Sequence, residues 1–459
     1  MRRRGAVRLA TATLVSGLVA AGPVATAGAA AADGTPQGQG GATATFGGLK
    51  IYGAAVVHDG GTDEQMSAGL YEMSVDNGGT LQTYGIDLHN PTQKEARYHE
   101  TAWSGTSLNG NKNAGKIRWI LQNSYPQVND LARLAAEAGA KGLTEQDAAA
   151  GTQVAIWRYS DGADVDAVDP RAERLADYLE KRARNLPEPA ASLTLDPPAV
   201  SGRPGARLGP VTVHTNADSV TVTPPTNAAT TRVKIVDKSG KQVTTVADGS
   251  RIYFQVPKTE QDGSAELTVQ ASTTVPVGRA LTSETRSQTQ ILAGSSESTV
   301  SATTTATWAH KGAIPALSAG KNCADGGVDI TAVNKGDEAF TFELMGAEHT
   351  IPAGASQTLT VPFQEDQPYD FRIKGPAGYE KWVKGVLDCQ TETATGGLKI
   401  QTLSEPSPAT AGGTATDTNL AETGTSNATP LIAGTAITLV VIGGATLLRL
   451  RTRRTGTRD

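Results

Sequence analysis

Thr144-Glu145-Gln146-Asp147-Ala148-Ala149-Ala150-Gly151-Thr152-Gln153-Val154-Ala155-Ile156-Trp157 is the stretch whose reading decides the fold. Its first four residues read as a capping box, because Thr144 can accept from the amide three residues on, and they open a helix through Tyr159. Upstream, Ile117, Ile120, Leu121 and Ser124 share one face at a period of 3.6, as do Leu131, Leu134, Ala135 and Ala138. Downstream, Asp169-Pro170 is an N-cap followed by Pro at the first helical position, which starts a helix to about Arg184. Strand-like runs precede these helices at Leu49 to Tyr52, Leu70 to Val75 and Leu81 to Leu88. Tyr52, Tyr71, Tyr84, Trp103, Trp119, Tyr125 and Trp157 all fall in the same region. Strands and a helix cluster in one unit predict an α+β head over residues 46–190. The Gly, Thr, Gln and Ala of residues 33–45 read as a disordered leader.

Past Leu186-Pro187-Glu188-Pro189 the pattern changes to alternation: Leu193/Leu195, Val211/Val213, Val220/Val222, Val233/Ile235, Ile252/Phe254/Val256 and Leu267/Val269. Gly, Pro, Asn and Asp turns separate these pairs, and short strands without helices predict a β-sandwich over residues 191–308. A second series, Val328/Ile330, Phe340/Phe342/Leu344, Leu359/Val361, Tyr369/Phe371/Ile373 and Trp382, predicts another over 309–392. The architecture expected is therefore multidomain: the head, two all-β immunoglobulin-like sandwiches, a linker and a C-terminal transmembrane helix. Cys323 and Cys389, the two cysteines of the chain, flank the second series. In an exported protein such a pair reads as a disulfide rather than as two buried thiols. The bridge would close a loop of about 65 residues, worth roughly 4 kcal/mol in the chain-entropy model.

Both ends of the chain carry targeting patterns. Arg2, Arg3, Arg4 and Arg8 form a basic n-region, Leu9 to Ala21 an apolar stretch, and Ala27-Gly28-Ala29 and Ala30-Ala31-Ala32 are cleavage-type sites, so residues 1–32 read as a signal peptide. At the other end, residues 393–419 are a Thr, Ala, Gly, Ser and Pro spacer. Leu420-Ala421-Glu422-Thr423-Gly424 follows, then an apolar run over residues 430–448 that would rise about 28 Å as a helix, near the thickness of a bilayer core. Arg449, Arg451, Arg453, Arg454 and Arg458 make residues 449–459 a cytoplasmic basic tail. This order resembles the sorting signal of Gram-positive sortase substrates, in the Leu-Ala-x-Thr-Gly form of high-GC bacteria. The resemblance implies cleavage between Thr423 and Gly424, transfer of the Thr carboxyl to peptidoglycan, and a membrane-anchored precursor. Without the two ends, 32 of the 41 basic and 45 of the 46 acidic residues remain. A surface that acidic is unsuited to nucleic acid and suits an extracellular protein.

Within the head, Tyr84-Gly85-Ile86-Asp87-Leu88-His89-Asn90, Lys116-Ile117-Arg118-Trp119-Ile120-Leu121 and Gly151-Thr152-Gln153-Val154-Ala155-Ile156-Trp157 together resemble the thioester (TQxA) domain of Gram-positive surface adhesins. In that family a Cys in a Tyr-Cys-x-Asp segment attacks the Gln amide of Thr-Gln-x-Ala, ammonia leaves, and the buried thioester acylates an amine on a target. The resemblance implies Gln153 as the family Gln and places Gly85 where the Cys belongs. Glycine brings no thiolate, and the chemistry needs one as nucleophile and leaving group. Gln153 then reads as a helix residue hydrogen-bonded into the core.

Other chemistry is sparse. His58, His89, His99, His214, His310 and His349 lack metal-ligand spacing. Asp161, Asp164, Asp166 and Asp169 read as a solvated loop without the EF-hand pattern. Lys234 and Lys335 could enter isopeptide bonds of the pilin type, but no matching Asn and buried acid stand out. No convergent acid, base and nucleophile set appears, so no enzyme, metal or cofactor is expected. The expectation is a wall-anchored adhesin whose head binds an unidentified surface ligand non-covalently, with a structural wall or hyphal-surface component lacking an external ligand as the alternative.

Overall fold

A computed structural model describes residues 40–375 and 379–391. The stretch read as a signal peptide, residues 33–39, the expected linker, Leu420–Gly424, the apolar run 430–448 and the basic tail lie outside the described residues. Among the described residues no helix is long and apolar enough to cross a membrane.

The head is built on a sheet that returns on itself. Five of its strands come from the region read as head: β1 (Thr43–Asp59), β2 (Thr62–Val75), β3 (Thr80–Gly85), β4 (Arg97–Thr101) and β5 (Val165–Ala167). Two more, Ala280–Ser283 and Gln290–Ser295, arrive from the far side of the next domain. They form a hairpin inserted between β4 and β3, so that the order runs β2, β3, Gln290–Ser295, Ala280–Ser283, β4, β1, β5. Because β1 also pairs with β2 along most of its length, six of the strands close a ring.

Four helices cover one side of this sheet: α1 (Ala114–Asn123), α2 (Leu131–Ala138), α3 (Glu145–Ser160) and α4 (Pro170–Arg182). The capping box forms at α3: Thr144 Oγ1 accepts from Asp147 N at 3.1 Å, and Asp147 Oδ2 accepts from Thr144 N at 2.9 Å. Asp169 caps α4, with Pro170 in its first turn. From Asp147 to Trp157 every α3 residue is buried, because the sheet, α1 and α4 surround it. A helix enclosed on all sides must be apolar or hydrogen-bonded throughout.

The opposite side of the sheet packs on the next domain, and here two expectations are corrected. Phe46, Tyr71, Met73, Leu81 and Tyr98 of the head share one core with Leu195, Val213, Val222, Phe254, Leu267 and Val300. The break placed at 190/191 therefore separates two parts of a single core. Its physical cause is the inserted hairpin, which makes residues 191–308 supply strands to the head sheet. The leader is also shorter than 33–45: Gly41 bridges Ser301, Ala42 and Ala44 are buried, and β1 begins at Thr43. Burial of such small residues follows from pairing with strands distant in sequence.

Residues 193–308 otherwise form two sheets around that core, one of four strands and one of five. Residues 315–386 form a second pair, of three and four strands, around Leu317, Ile330, Phe340, Phe342, Ile351 and Ile373. Cys323 and Cys389 are joined in a disulfide between the end of its first strand and the residues after its last.

Candidate functional site

Gly85 closes β3 and lies in register with Gln290 of the hairpin. It is buried, and two glutamine side chains meet at it, with the side chain of Gln290 bonded to one of them. Gln153, fully buried on α3, addresses its backbone: Oε1 accepts from Gly85 N at 3.0 Å and Nε2 donates to Gly85 O at 2.8 Å. Those two groups face away from the hairpin ladder, so without Gln153 they would be buried and unpaired. The neighbouring turn of α3 is held by Thr152, whose hydroxyl lies 2.6 Å from Ser124 Oγ.

Gln288 addresses the other aspect of Gly85, where a side chain would stand. A Cβ built on Gly85 would meet Gln288 Oε1 at 2.1 Å, Cδ at 2.6 Å and Nε2 at 3.0 Å. The Gln288 amide thus fills the slot that glycine leaves empty. Its Nε2 donates to Asp87 O at 2.7 Å, and its Oε1 accepts from Gln290 Nε2 at 3.1 Å. Gln290 in turn accepts from Thr83 Oγ1 at 2.9 Å. Beside this network Asp87 has φ of 110°, a left-handed backbone strained for a non-glycine residue.

Gln153 is hydrogen-bonded into the core, as the sequence led one to expect, and the amide nearest the empty side-chain slot of residue 85 is that of Gln288. A nucleophile at position 85 would have its sulfur one bond beyond the built Cβ, within bonding reach of Gln288 Cδ. Gln153 grips the main chain of the same residue, and the three atoms nearest the built Cβ all belong to Gln288. Sequence reading missed Gln288 because it lies 201 residues beyond Asp87, in a Ser/Thr-rich stretch where no strand was expected. The available signal was Thr289-Gln290-Ile291-Leu292-Ala293, a β-compatible run with polar amides at its start. With glycine at 85 the site holds no nucleophile on that residue, and its chemistry is hydrogen bonding. Tyr84 is no substitute: burial pushes its phenol far above the usual range, and its hydroxyl donates to Tyr125 O at 2.8 Å.

The other residues singled out in the sequence are placed apart from this site or serve structure. Burial raises the Asp161 carboxyl to about 6, although Ser160 and the Leu88 amide both hydrogen-bond to it. Asp166 pairs with Arg158, and Asp169 pairs with Arg171, which holds its carboxyl down at about 2. His58 bonds Asp63 at 2.7 Å, which raises its pKa. Lys234 and Lys335 are exposed. Among the described residues one carboxylate trio, Glu365, Asp366 and Asp388, is close enough to share an ion. Arg286 pairs with Asp366 at 3.4 Å, and Glu365 accepts from the Cys389 and Gln390 amides.

The family model described as "TED: Thioester domain" matches residues 82–185, from β3 to the end of the helix cluster. No curated protein sequence matches the chain. Among solved structures, the Bacillus anthracis TIE protein is similar at 16% identity and a TM-score of 0.26, covering 75% of this chain and 63% of that one. The chain thus spans less than two thirds of that relative's length. The thioester domain of the Enterococcus faecium TIE86 protein is similar at 17% identity and a TM-score of 0.29, covering 59% of this chain and 97% of that one. The thioester domain of the Staphylococcus aureus TIE protein is similar at 14% identity and a TM-score of 0.20, covering 59% and 98%. These are remote likenesses.

Proposed function

We propose that the chain is a sortase-anchored cell-wall surface protein of the thioester-domain type whose head binds a surface ligand non-covalently. The observation that carries this reading is Gly85. In a segment that matches the thioester domain, the residue facing a buried glutamine amide has no side chain, and the Gln288 amide occupies the space instead. A head built this way holds three glutamines in hydrogen bonds and has no thiolate there to form an acyl bond. The end patterns support the location: an export signal at residues 1–32, and Leu420-Ala421-Glu422-Thr423-Gly424 ahead of an apolar run and arginines. Sortase and peptidoglycan are then the partners at Thr423, and the membrane holds the precursor through residues 430–448 before sorting.

Two measurements test this reading. The exported chain is incubated with bacterial and host-cell surfaces, washed, and then boiled in SDS. Binding that denaturant reverses is expected; an adduct that survives boiling would overturn the non-covalent reading, and no retention at all would favour the structural wall component. For anchoring, Thr423→Ala should release the protein from undigested cell walls into the detergent-soluble fraction. Wall attachment unchanged by that substitution would sink the sortase step.

A further inference from the structure

We propose that Asp388, carried on the disulfide-anchored terminal sandwich, is a positioning residue for the Gly85–Gln288 site; this rests on reading that pair as the site. Thr289 connects the two. Its hydroxyl, fully buried, donates to Asp388 Oδ2 at 2.5 Å, and its carbonyl accepts from Ile86 N at 2.9 Å. Thr289 therefore joins the residue after Gly85 to the terminal domain, and Gln288 is its immediate neighbour in the chain. Asp388 is itself 5% exposed and directly precedes Cys389, the partner of Cys323. A hydroxyl–carboxyl hydrogen bond between two buried groups ties the two elements together out of reach of water. Arg286–Asp366 at 3.4 Å and Lys384–Glu284 at 3.7 Å are partly exposed ion pairs, and such pairs contribute little. Cys323 N donates to Ser104 O at 3.4 Å, near the limit for a hydrogen bond.

The disulfide fixes the two chain ends that meet at this junction, because Cys323 follows the first strand of the sandwich and Cys389 its last. Opening it frees the segment bearing Asp388 to leave Thr289. Residues 284–289 form the loop between the two hairpin strands and lose a fixed point when that happens. The Gln288 amide would then rest against Gly85 on its bonds to Asp87 O and Gln290 Nε2, without the anchor that Thr289 gives the loop. In this reading the terminal sandwich is part of the site's scaffold, and the redox state of one disulfide sets how firmly the amide is presented.

Hydrogen exchange on the full exported chain tests the proposal, read by mass spectrometry on peptides covering 84–90 and 284–292. Asp388→Ala, Thr289→Val and the double variant Cys323→Ser/Cys389→Ser should each speed exchange in both peptides about five- to tenfold, the scale of one buried hydrogen bond. Asp388→Asn keeps an acceptor oxygen and should stay closer to wild type. Thr289→Val lies outside the terminal domain and serves even if changes at 388 disturb folding there. Acceleration confined to residues 309–391, or wild-type rates at 84–90 in Thr289→Val, would overturn the proposal. Failure of the underlying site reading has a different signature: a Gly85→Cys variant whose thiol reacts with an amide other than that of Gln288.

Discussion

Gln153 holds the main chain of Gly85 at both polar groups, accepting from its nitrogen at 3.0 Å and donating to its carbonyl at 2.8 Å. A side-chain amide used this way replaces a missing β-ladder partner, and it explains why a glutamine is tolerated in the middle of a fully buried helix.

The first prediction follows directly. Gln153→Ala leaves a buried N–H and a buried C=O without partners and opens a cavity, which should cost about 2–5 kcal/mol of stability. Gln146→Ala, on the exposed side of the first turn of α3, should change stability by less than about 0.5 kcal/mol. Denaturant titration of both variants checks this, and equal midpoints would contradict the assignment.

The second concerns where the head can be cut. Residues 40–190 lack the hairpin that stands between β3 and β4, and they leave Phe46, Tyr71 and Tyr98 without the other half of their core. They also strand Glu100, whose fully buried carboxylate is paired with Arg279 at 2.9 Å. An unpaired buried charge of that kind is strongly destabilising. The fragment should therefore bind hydrophobic dyes and unfold without a cooperative transition, whereas residues 40–391 should melt cooperatively. A sharp melting curve for 40–190 would refute the shared core.

How much of this was legible in the sequence depends on how local the cause was. The capping box at Thr144 and the Asp169-Pro170 start are decided within one helical turn, and both formed as read. The alternating valines of residues 193–269 report a half-buried strand through their period alone. The Cys323–Cys389 pairing followed from there being two cysteines in a chain read as exported. By contrast, Ala280–Ser283 and Gln290–Ser295 carry few large apolar residues, and their pairing partners lie far back in the chain. No local pattern announces such a ladder, so the boundary at 190/191 was misplaced and Gln288 went unnoticed. Gln153 was found because the motif pointed to it; its role, gripping backbone, depends on a contact with β3 that only the fold supplies.

A pH dependence should appear at Asp161. Burial raises its carboxyl from 3.8 to about 6 in the folded protein. A folded pKa above the unfolded one means that the native state holds this proton more tightly than the unfolded chain. Its contribution is thus most favourable below about pH 4, is lost between about pH 4 and 6, and is constant above that. Asp161→Asn stays neutral and can still accept from the Leu88 amide. The variant should gain stability relative to wild type as pH rises from about 4 to 6, with the difference flat from about 7 to 8. Parallel melting temperatures for the two proteins across that range would show that Asp161 titrates normally.

The last prediction returns a nucleophile to position 85. Wild-type protein should show its full calculated mass and no adduct with methylamine. Gly85→Cys places a thiol against Gln288, where attack of Sγ on Cδ would form a carbon–sulfur bond, break the Cδ–Nε2 bond and release ammonia with the thiol proton, a loss of about 17 Da. The residue's extended backbone accepts a side chain, and the atoms in its way are the far end of a flexible Gln288. To make room that amide must give up its bonds to Asp87 O and Gln290 Nε2, so the reaction should be slow, and about an ångström of misplacement would cost orders of magnitude in rate. Where the ammonia comes from is the decisive reading. Peptide mapping should join residue 85 to Gln288, and Gly85→Cys combined with Gln288→Ala should keep its full mass. Cross-linking of the introduced thiol to Gln153 instead, or ammonia loss that survives removal of Gln288, would show that the amide facing the slot had been misidentified. Ammonia loss in the wild-type protein would show that another group closes the bond without a cysteine at position 85.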